Sequence, residues 1–310
     1  MTGKVRSNYG AIIQRKRALK SLALLLVFVL AVSSVVASVF AWRNRGNGIN
    51  RSTVDVLWRN SEYESVFGLS SEALAAKPLD PYWLVLNGFS AYQLAAAQTG
   101  AEQEAAYIDA CIRSLRKAML VGAGRNEAGV RYVLGKAYYQ KGEAYAELAV
   151  DQFELARSVS YRPADLDEYL GLSYAALGKY RESVIAFSRA LGDDPSDLLI
   201  LAIARSYTEL GENDAAKAYL VRLIENSKDI AIIIKSRTLL GRLFLAAGEL
   251  DAAELHFLAA LEADDSNADA HLSLGDLFDK KGDAIKARAE WRKSIRIDPA
   301  NENARSRLSS

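Results

Sequence analysis

The chain has 310 residues, half of them apolar, with 39 basic and 38 acidic side chains and five prolines. This length exceeds what one hydrophobic core usually fills, and scarce proline favours helices, so several helical domains or a repeat array are expected. Residues 1–42 hold six basic and no acidic side chains, which leaves a mildly acidic remainder that excludes nucleic acid as the main partner.

Residues 21–42 form the first predicted element. They read SLALLLVFVLAVSSVVASVFAW and carry no charge over 22 residues. A helix of that length spans roughly 33 Å, which is enough to cross the hydrocarbon core of a bilayer. Lys20 and Arg43 bound the stretch, and Trp42 occupies an interfacial position. We therefore predict a transmembrane signal anchor after a basic cytoplasmic tail at residues 1–20.

The charges around this stretch predict its orientation. Six basic residues precede it and fewer follow it closely, which places the N-terminus in the cytoplasm. We therefore expect a single-pass inner (cell) membrane protein with its large remainder on the extracytoplasmic side, the periplasm in a bacterium. The alternative is a signal peptide cleaved after the small residues Val39 and Ala41, which would release a soluble protein.

The segment after the predicted anchor contains a linker and irregular helices. Residues 43–51, with GNGIN at 46–50, form a short flexible linker. Residues 52–127 are predicted to form degenerate helical units, beginning with a hairpin or half unit at Ser52–Ala76. Tyr82–Gln93 fits a first helix and Ala105–Leu120 a second, and the extra residues between them imply longer helices or a longer loop.

Residues 128–300 contain five copies of one motif. In four copies Leu-Gly is followed by an aromatic residue three positions later, and in the fifth Ala204 replaces the glycine. The reference positions are Gly135, Gly171, Ala204, Gly241 and Gly275. The gaps between these positions are 36, 33, 37 and 34 residues. A second series of bulky residues downstream is spaced 34, 33, 37 and 34 residues apart, so a two-residue insertion is predicted in the turn at 142–146.

The recurring order of Leu-Gly, aromatic, Gly, small residue, aromatic, Ala and Pro resembles the tetratricopeptide repeat (TPR) family. The unit from Leu170 to Pro195 carries the full set. The resemblance implies an all-α fold, in which the transmembrane helix precedes an α-α solenoid with a right-handed superhelix. Residues 301–310 would be a C-terminal cap. One helix pair cannot bury its apolar side alone, so units stack around a shared core.

The signature residues are predicted to serve packing. They are Gly135, Tyr138, Phe153, Gly171, Tyr174, Phe187, Tyr207, Leu220, Gly241, Phe244, Phe257, Gly275, Phe278 and Trp291.

In the resembled family the first helix of each unit lines a groove for partners. The register predicts this partner groove at Tyr132, Lys136, Tyr139, Leu172, Leu201, Arg205, Lys235, Arg242, Leu245 and Asp276. Arg205 and Arg242 share one position in neighbouring units, with Lys235 close by, and a ligand carboxylate or acidic segment would suit them. Alternatively, both arginines pair with nearby acids such as Glu209 or Asp276. The asparagines with which some relatives clamp a terminal carboxylate are missing from this register.

No motif points to catalysis. The sequence has no glycine-rich phosphate loop, no HExxH and no GxSxG. One cysteine and two histidines cannot form a cysteine/histidine zinc site. We expect no catalytic, metal or cofactor site and no small-molecule substrate. His271 is predicted to pack, His256 to face solvent and Cys111 to be a buried, inert thiol.

These features predict a membrane-anchored scaffold or adaptor that binds proteins or peptides on the extracytoplasmic side and contacts the bilayer through residues 21–42. Similar anchored repeat proteins act in envelope assembly, translocation or secreted-protein maturation. The alternative is a cleaved, soluble periplasmic subunit of a larger complex.

Overall fold

The computed structural model describes residues 50–122, 127–192 and 194–309, and within these ranges it contains fifteen α-helices, one short 3-10 turn and no strand. The predicted tail, the predicted transmembrane segment and nearly all of the linker lie outside the described residues. None of the helices in the described ranges is long and apolar enough to span a membrane. The chain divides into two compact units between Leu134 and Gly135.

The described part of the first unit is built from four complete helices and the start of a fifth. They are α1 (Arg51–Arg59), α2 (Tyr63–Ala76), α3 (Pro81–Ala96), α4 (Ala101–Val121) and the beginning of α5 (Glu127–Gln140). Asn50 caps α1 by accepting a hydrogen bond from the Ser52 amide at 3.0 Å. Asp80 caps the N-terminus of α3. Pro81 occupies the first helical position, where the backbone amide has no hydrogen-bond partner within the helix, so the missing proline N–H costs nothing.

The extra residues predicted between the first and second helices of this unit lengthen the helices. Helix α3 has 16 residues and α4 has 21, and only residues 97–100 connect them. A polar network that the sequence did not suggest joins three helices. The Asn87 amide donates to Ser70 Oγ at 3.0 Å and accepts from Ser114 Oγ at 2.7 Å. All three side chains are buried, so their polar atoms are satisfied inside the unit.

The second unit continues from α5 as an all-α solenoid of helix pairs. After the 3-10 turn Glu143–Tyr145 come α6 (Ala146–Ser158), α7 (Leu166–Ala176), α8 (Tyr180–Ala190), α9 (Asp197–Glu209), α10 (Asn213–Asn226), α11 (Ile230–Ala247), α12 (Leu250–Ala263), α13 (Ala268–Lys280), α14 (Ala284–Ile297) and α15 (Glu302–Ser309). Odd-numbered helices from α5 to α13 are the first helices of the repeats, and the even-numbered helices that follow them are the second helices. The 3-10 turn accommodates the two-residue insertion.

Each first helix from α7 to α13 ends in the same backbone closure. At the end of α11, Gly248 adopts φ = +83°, and the Glu249 amide donates to the Phe244 carbonyl at 2.9 Å. A left-handed residue here satisfies carbonyls that the helix end leaves free, and glycine adopts this conformation at the lowest cost. Equivalent bonds run from Lys179 to Tyr174, from Glu212 to Tyr207 and from Asp283 to Phe278.

The reference glycines let the two helices of a repeat approach closely. A β-carbon built on Gly135, Gly171, Gly241 or Gly275 would lie 2.4–2.8 Å from the ring of Phe153, Phe187, Phe257 or Trp291, respectively. These rings are buried, and Leu220 is buried in the repeat where Ala204 replaces the glycine. Tyr138 is also buried, whereas Tyr174, Tyr207, Phe244 and Phe278 are half-buried at the edge of the contact.

Candidate functional site

The first helices of three successive repeats line a concavity of about 300 Å³, called here the basic concavity. It is formed by Arg205, Glu209, Lys235, Thr238, Leu239, Arg242, Asn267 and Asp269. Helix α9 supplies the first two residues, α11 the next four, and the start of α13 the last two. The concavity thus brings together Arg205, Lys235 and Arg242 from the predicted groove.

Helical spacing explains why these side chains are exposed. On α9, Leu201 and Ala204 pack in the core beside Leu220, and the next position, Arg205, faces outward. On α11, Ile234 and Ser236 are buried while Lys235 between them is exposed. Because successive residues on a helix are about 100° apart, neighbours of a buried residue readily face solvent. The core therefore fixes the helices and leaves Arg205 and Lys235 exposed to solvent.

The three cations differ in how far they are already paired. Arg242 Nε donates to Ser273 Oγ at 2.8 Å, and a terminal nitrogen of the same guanidinium lies 3.7 Å from Asp269 Oδ1. Arg205 and Lys235 are exposed, and neither forms an ion pair with any residue in the described part of the chain. The basic concavity therefore holds one paired and two unpaired cations.

The acids suggested as partners for the arginines are engaged differently. Arg242 pairs with Asp269 and not with Asp276, whose carboxylate accepts from Arg307 Nε at 2.9 Å and from Trp291 Nε1 at 3.0 Å. Glu209 forms no ion pair within the described residues, so it does not neutralise Arg205 directly. Arg307 comes from α15, which lacks the Leu-Gly register, and for that reason the sequence pattern did not identify it.

A second concavity of about 300 Å³ adjoins the first and shares Arg242 and Asp269 with it. It is lined by Arg242, Leu245, Asp269, Leu272, Ser273, Asp276, Asn303 and Arg307. Two groove predictions, Leu245 and Asp276, lie here. The charged residues of this second concavity neutralise one another, because Asp276 pairs with Arg307 and Asp269 pairs with Arg242. The basic concavity is therefore the better candidate for recognising a charged ligand.

Four predicted groove residues lie elsewhere. Lys136 Nζ lies 2.9 Å from Asp165 Oδ2 and 4.5 Å from the centroid of the Tyr169 ring. Tyr139 meets the same ring edge-on at 5.3 Å, and burial is the main cause that raises its pKa. Leu172 packs against the core around Phe187. Tyr132 is half-buried and belongs to the first unit.

The prediction that Leu201 lines the groove is corrected by its burial. Its side chain is 4% exposed and packs in the core. Thr238 and Leu272 occupy the equivalent position of the next two repeats and are 5% and 6% exposed. A side chain three residues before the reference position is therefore largely covered by neighbouring helices, although Thr238 and Leu272 still contribute to the walls of the two concavities and Leu201 does not.

His256 was predicted to face solvent, but its ring stacks on Phe244 with centroids 5.5 Å apart and an angle of 5°. Its Nδ1 is buried and has no hydrogen-bond partner in the described part of the protein. Burial, assisted by the positive charge of Arg237, lowers the pKa of the imidazole. The neutral ring is thus the form that the folded protein favours.

His271 is buried and held at both ring nitrogens. Nε2 donates to the carbonyl of Asp265 at 3.0 Å, since a carbonyl can only accept, and Nδ1 lies 2.6 Å from Glu290 Oε2. A proton must therefore lie between Nδ1 and the carboxylate. The other oxygen of Glu290 accepts from Lys293 at 2.8 Å. The group links α13 to α14 and opens to neither concavity, so we interpret it as structural.

The remaining reactive groups give no sign of chemistry. Burial raises the pKa of the Cys111 thiol to about 12, which disfavours the reactive thiolate. Within residues 50–122, 127–192 and 194–309, no cluster of three His, Cys, Asp or Glu side chains could hold a metal ion.

Comparison with known proteins places repeats of a known type in this part of the chain. Residues 199–230 and 238–302 each match a family model described as tetratricopeptide repeat. The anaphase-promoting complex subunit CDC16 of Saccharomyces cerevisiae is 29% identical over 141 residues, which cover 44% of this chain. That alignment spans only 17% of the yeast protein. The chain therefore carries tetratricopeptide repeats, as its sequence pattern predicted.

Two solved structures have a similar fold. The C-terminal part of a TPR repeat-containing protein from Cytophaga hutchinsonii aligns with a TM-score of 0.56 and 17% identity, covering 83% of this chain and 98% of that one. The APC/C hetero-tetramer Cut9–Hcn1 aligns with a TM-score of 0.51 and 14% identity over 83% of this chain, and the match spans 54% of that chain. Both similarities concern the all-α solenoid architecture.

Proposed function

We propose that this protein is a scaffold or adaptor whose tetratricopeptide solenoid binds protein or peptide partners through the basic concavity. The observation that carries the proposal is that three successive first helices contribute exposed side chains to one surface, where Arg205 and Lys235 have no ion-pair partner in the described residues. Arginine or lysine side chains with a packing role bury their aliphatic stems against neighbouring residues, whereas Arg205 and Lys235 are exposed. The yeast relative is named as a subunit of a larger complex, which agrees with a binding role.

The proposal includes attachment to a membrane through residues 21–42. Their 22 uncharged residues and the six basic residues before them support a single span with residues 43–310 on the extracytoplasmic side. A solenoid tethered there would gather partners for envelope assembly, translocation or secreted-protein maturation. The proposed activity is recognition alone, with no catalytic step assigned to any residue.

Site-specific photo-crosslinking tests this function. A photo-reactive phenylalanine analogue is placed at Lys235 or Glu209, both exposed in the basic concavity, of the full chain in its native membranes, and irradiation captures whatever lies within reach. The same analogue at Arg181 or Arg222, on the second helices α8 and α10, is the matched control. We expect the same discrete partner from both concavity positions and from neither control. Identical capture at all four positions, or none from the concavity, would contradict the proposal.

A further inference from the structure

Two of the four junctions between successive repeats of the second unit carry a charge pair at one fixed place in the register. The residue directly after one reference position pairs with the residue six positions before the next. Lys136 thus binds Asp165 at 2.9 Å, and Arg242 lies 3.7 Å from Asp269. In both pairs the cation comes from the earlier repeat and the aspartate from the later one.

A third junction carries Leu172 and Leu198 at these two positions, and the fourth, between the repeats of α9 and α11, carries two cations. Arg205 follows the reference position of its repeat, but the residue six positions before Gly241 is Lys235, so a cation replaces the aspartate. Both side chains line the basic concavity. Like charges at neighbouring positions disfavour the folded state, and no core contact compensates, because both side chains are exposed.

The surroundings do not neutralise these two cations. Asp269 is engaged by Arg242, and Glu209 forms no ion pair with any described residue. The Thr238 hydroxyl donates a hydrogen bond to the carbonyl of Ile234 at 2.9 Å. The concavity therefore presents three cations against two acids, one of which is already paired.

We infer that Arg205 and Lys235 dock the side-chain carboxylates of an acidic, extended segment of a partner protein. This inference rests on the proposed function and specifies its ligand. A carboxylate between the two cations would supply what Asp165 and Asp269 supply at the same place in other repeats. Arg242 lies about two turns after Lys235 on the same helix and adds a third cation to the row, so several side-chain carboxylates suit the site better than one terminal carboxylate.

The probe is a short rhodamine-labelled peptide of alternating glutamate and serine with an amidated C-terminus, and its binding to the full chain in detergent is followed by fluorescence anisotropy. We expect binding that weakens with added salt. Arg205→Gln with Lys235→Gln should weaken it about tenfold or more, because two charge-assisted contacts are lost. Arg181→Gln with Arg222→Gln removes the same charge from second helices and should bind as wild type. Equal binding by both double variants would overturn the inference.

A charge-repair variant tests the site without relying on affinity alone. Lys235→Asp should give this junction the charge pair found at two others, raise the urea midpoint of unfolding and abolish peptide binding. Asp269→Lys should place a second cation beside Arg242 and lower the midpoint. A lowered midpoint or retained binding in Lys235→Asp contradicts the inference, because the two cations would then not be an unsatisfied pair.

Two further results separate this inference from the proposed function. If crosslinking from Glu209 captures the same partner in the Arg205→Gln, Lys235→Gln variant, the concavity binds partners but does not select acids. If the probe binds only when its C-terminus is a free carboxylate, the ligand is a chain terminus and the inferred side-chain source is wrong.

Discussion

Gly171 of α7 lies so close to Phe187 of α8 that a β-carbon on the glycine would be 2.5 Å from two carbons of the ring. Phe187 is fully buried, so its ring has no free space into which it could move. In the repeat where Ala204 takes the glycine position, the facing residue is Leu220. The volumes of the two facing side chains are therefore matched: the smallest residue, glycine, faces a phenylalanine ring, and the larger alanine faces the smaller leucine.

Removal of the ring should cost much of the stability of the fold. Phe187→Ala is expected to lower the free energy of unfolding by about 3–5 kcal/mol, the range for a buried aromatic residue. Urea denaturation of the full chain, followed by circular dichroism, measures this loss. Ile185→Ala on the same helix is the control, since Ile185 is 53% exposed, and should change little. A loss at Phe187 below about 1 kcal/mol would mean that the assigned register is wrong.

The balance of size can be tested from the glycine side. Gly171→Ala should destabilise by about 1–3 kcal/mol through overpacking, less the gain of up to about 1 kcal/mol in helix propensity. Combining it with Phe187→Leu reproduces the Ala204–Leu220 arrangement, so the double variant should be more stable than the two single effects predict. Additive free energies of unfolding would show that the two positions are not coupled.

His256 should make stability depend on pH. Its folded pKa lies below the ordinary 6.5, so between the two values the unfolded chain binds more protons and the free energy of unfolding falls as pH falls. The advantage of wild type over His256→Gln should therefore be largest above pH 6.5 and shrink below it. Urea denaturation at several pH values measures the difference, and other titrating groups cancel because both proteins share them. A gap that stays constant or widens in acid would contradict the assignment.

The buried pair of His271 and Glu290 should be sensitive to the loss of one member. Glu290→Ala leaves the ring nitrogen without its acceptor and should lower the free energy of unfolding by about 3–5 kcal/mol. Replacing both residues by leucine removes the unpaired polar group and should cost clearly less than Glu290→Ala. Chemical denaturation distinguishes these outcomes. If the double leucine variant is less stable than Glu290→Ala, the interpretation is wrong, because the His271–Glu290 pair would then stabilise the fold beyond satisfying its own buried polar groups.

Membrane topology can be read with one engineered thiol. Cys111 is the only cysteine and is buried, with a pKa raised to about 12, so it should react slowly. Lys179→Cys adds an exposed thiol. A membrane-impermeant maleimide should label this variant in bacterial spheroplasts and leave wild type unlabelled. Labelling only after the inner membrane is opened would reverse the orientation, and release of the labelled protein without detergent would support the cleaved form.

Most of the fold could be predicted from short-range sequence patterns. The positions of Gly171 and Phe187 in two independent registers were sufficient to predict helix pairs, because each glycine-to-ring contact lies within one repeat. Leu201 was misplaced because it packs against the first helix of the following repeat, which a single repeat does not specify. His256 was misplaced because it stacks on Phe244 of its own repeat, a contact that the recurring motif does not include. The sequence alone did not show that Lys235 lacks an ion-pair partner, because the ion pairs of Asp165 and Asp269 at the same place in other repeats depend on the three-dimensional structure.

The backbone closures after the first helices have a kinetic consequence. The bond from Glu249 to Phe244 spans five residues, and its equivalents in the other repeats are equally short-range. A domain dominated by such local contacts folds rapidly, and a repeat array can open one pair of helices at a time. Because the basic concavity is built on α9, α11 and α13, local opening of α15 would leave it assembled. The fold therefore allows α15 to open and exchange its amide hydrogens while the walls of the basic concavity stay in place.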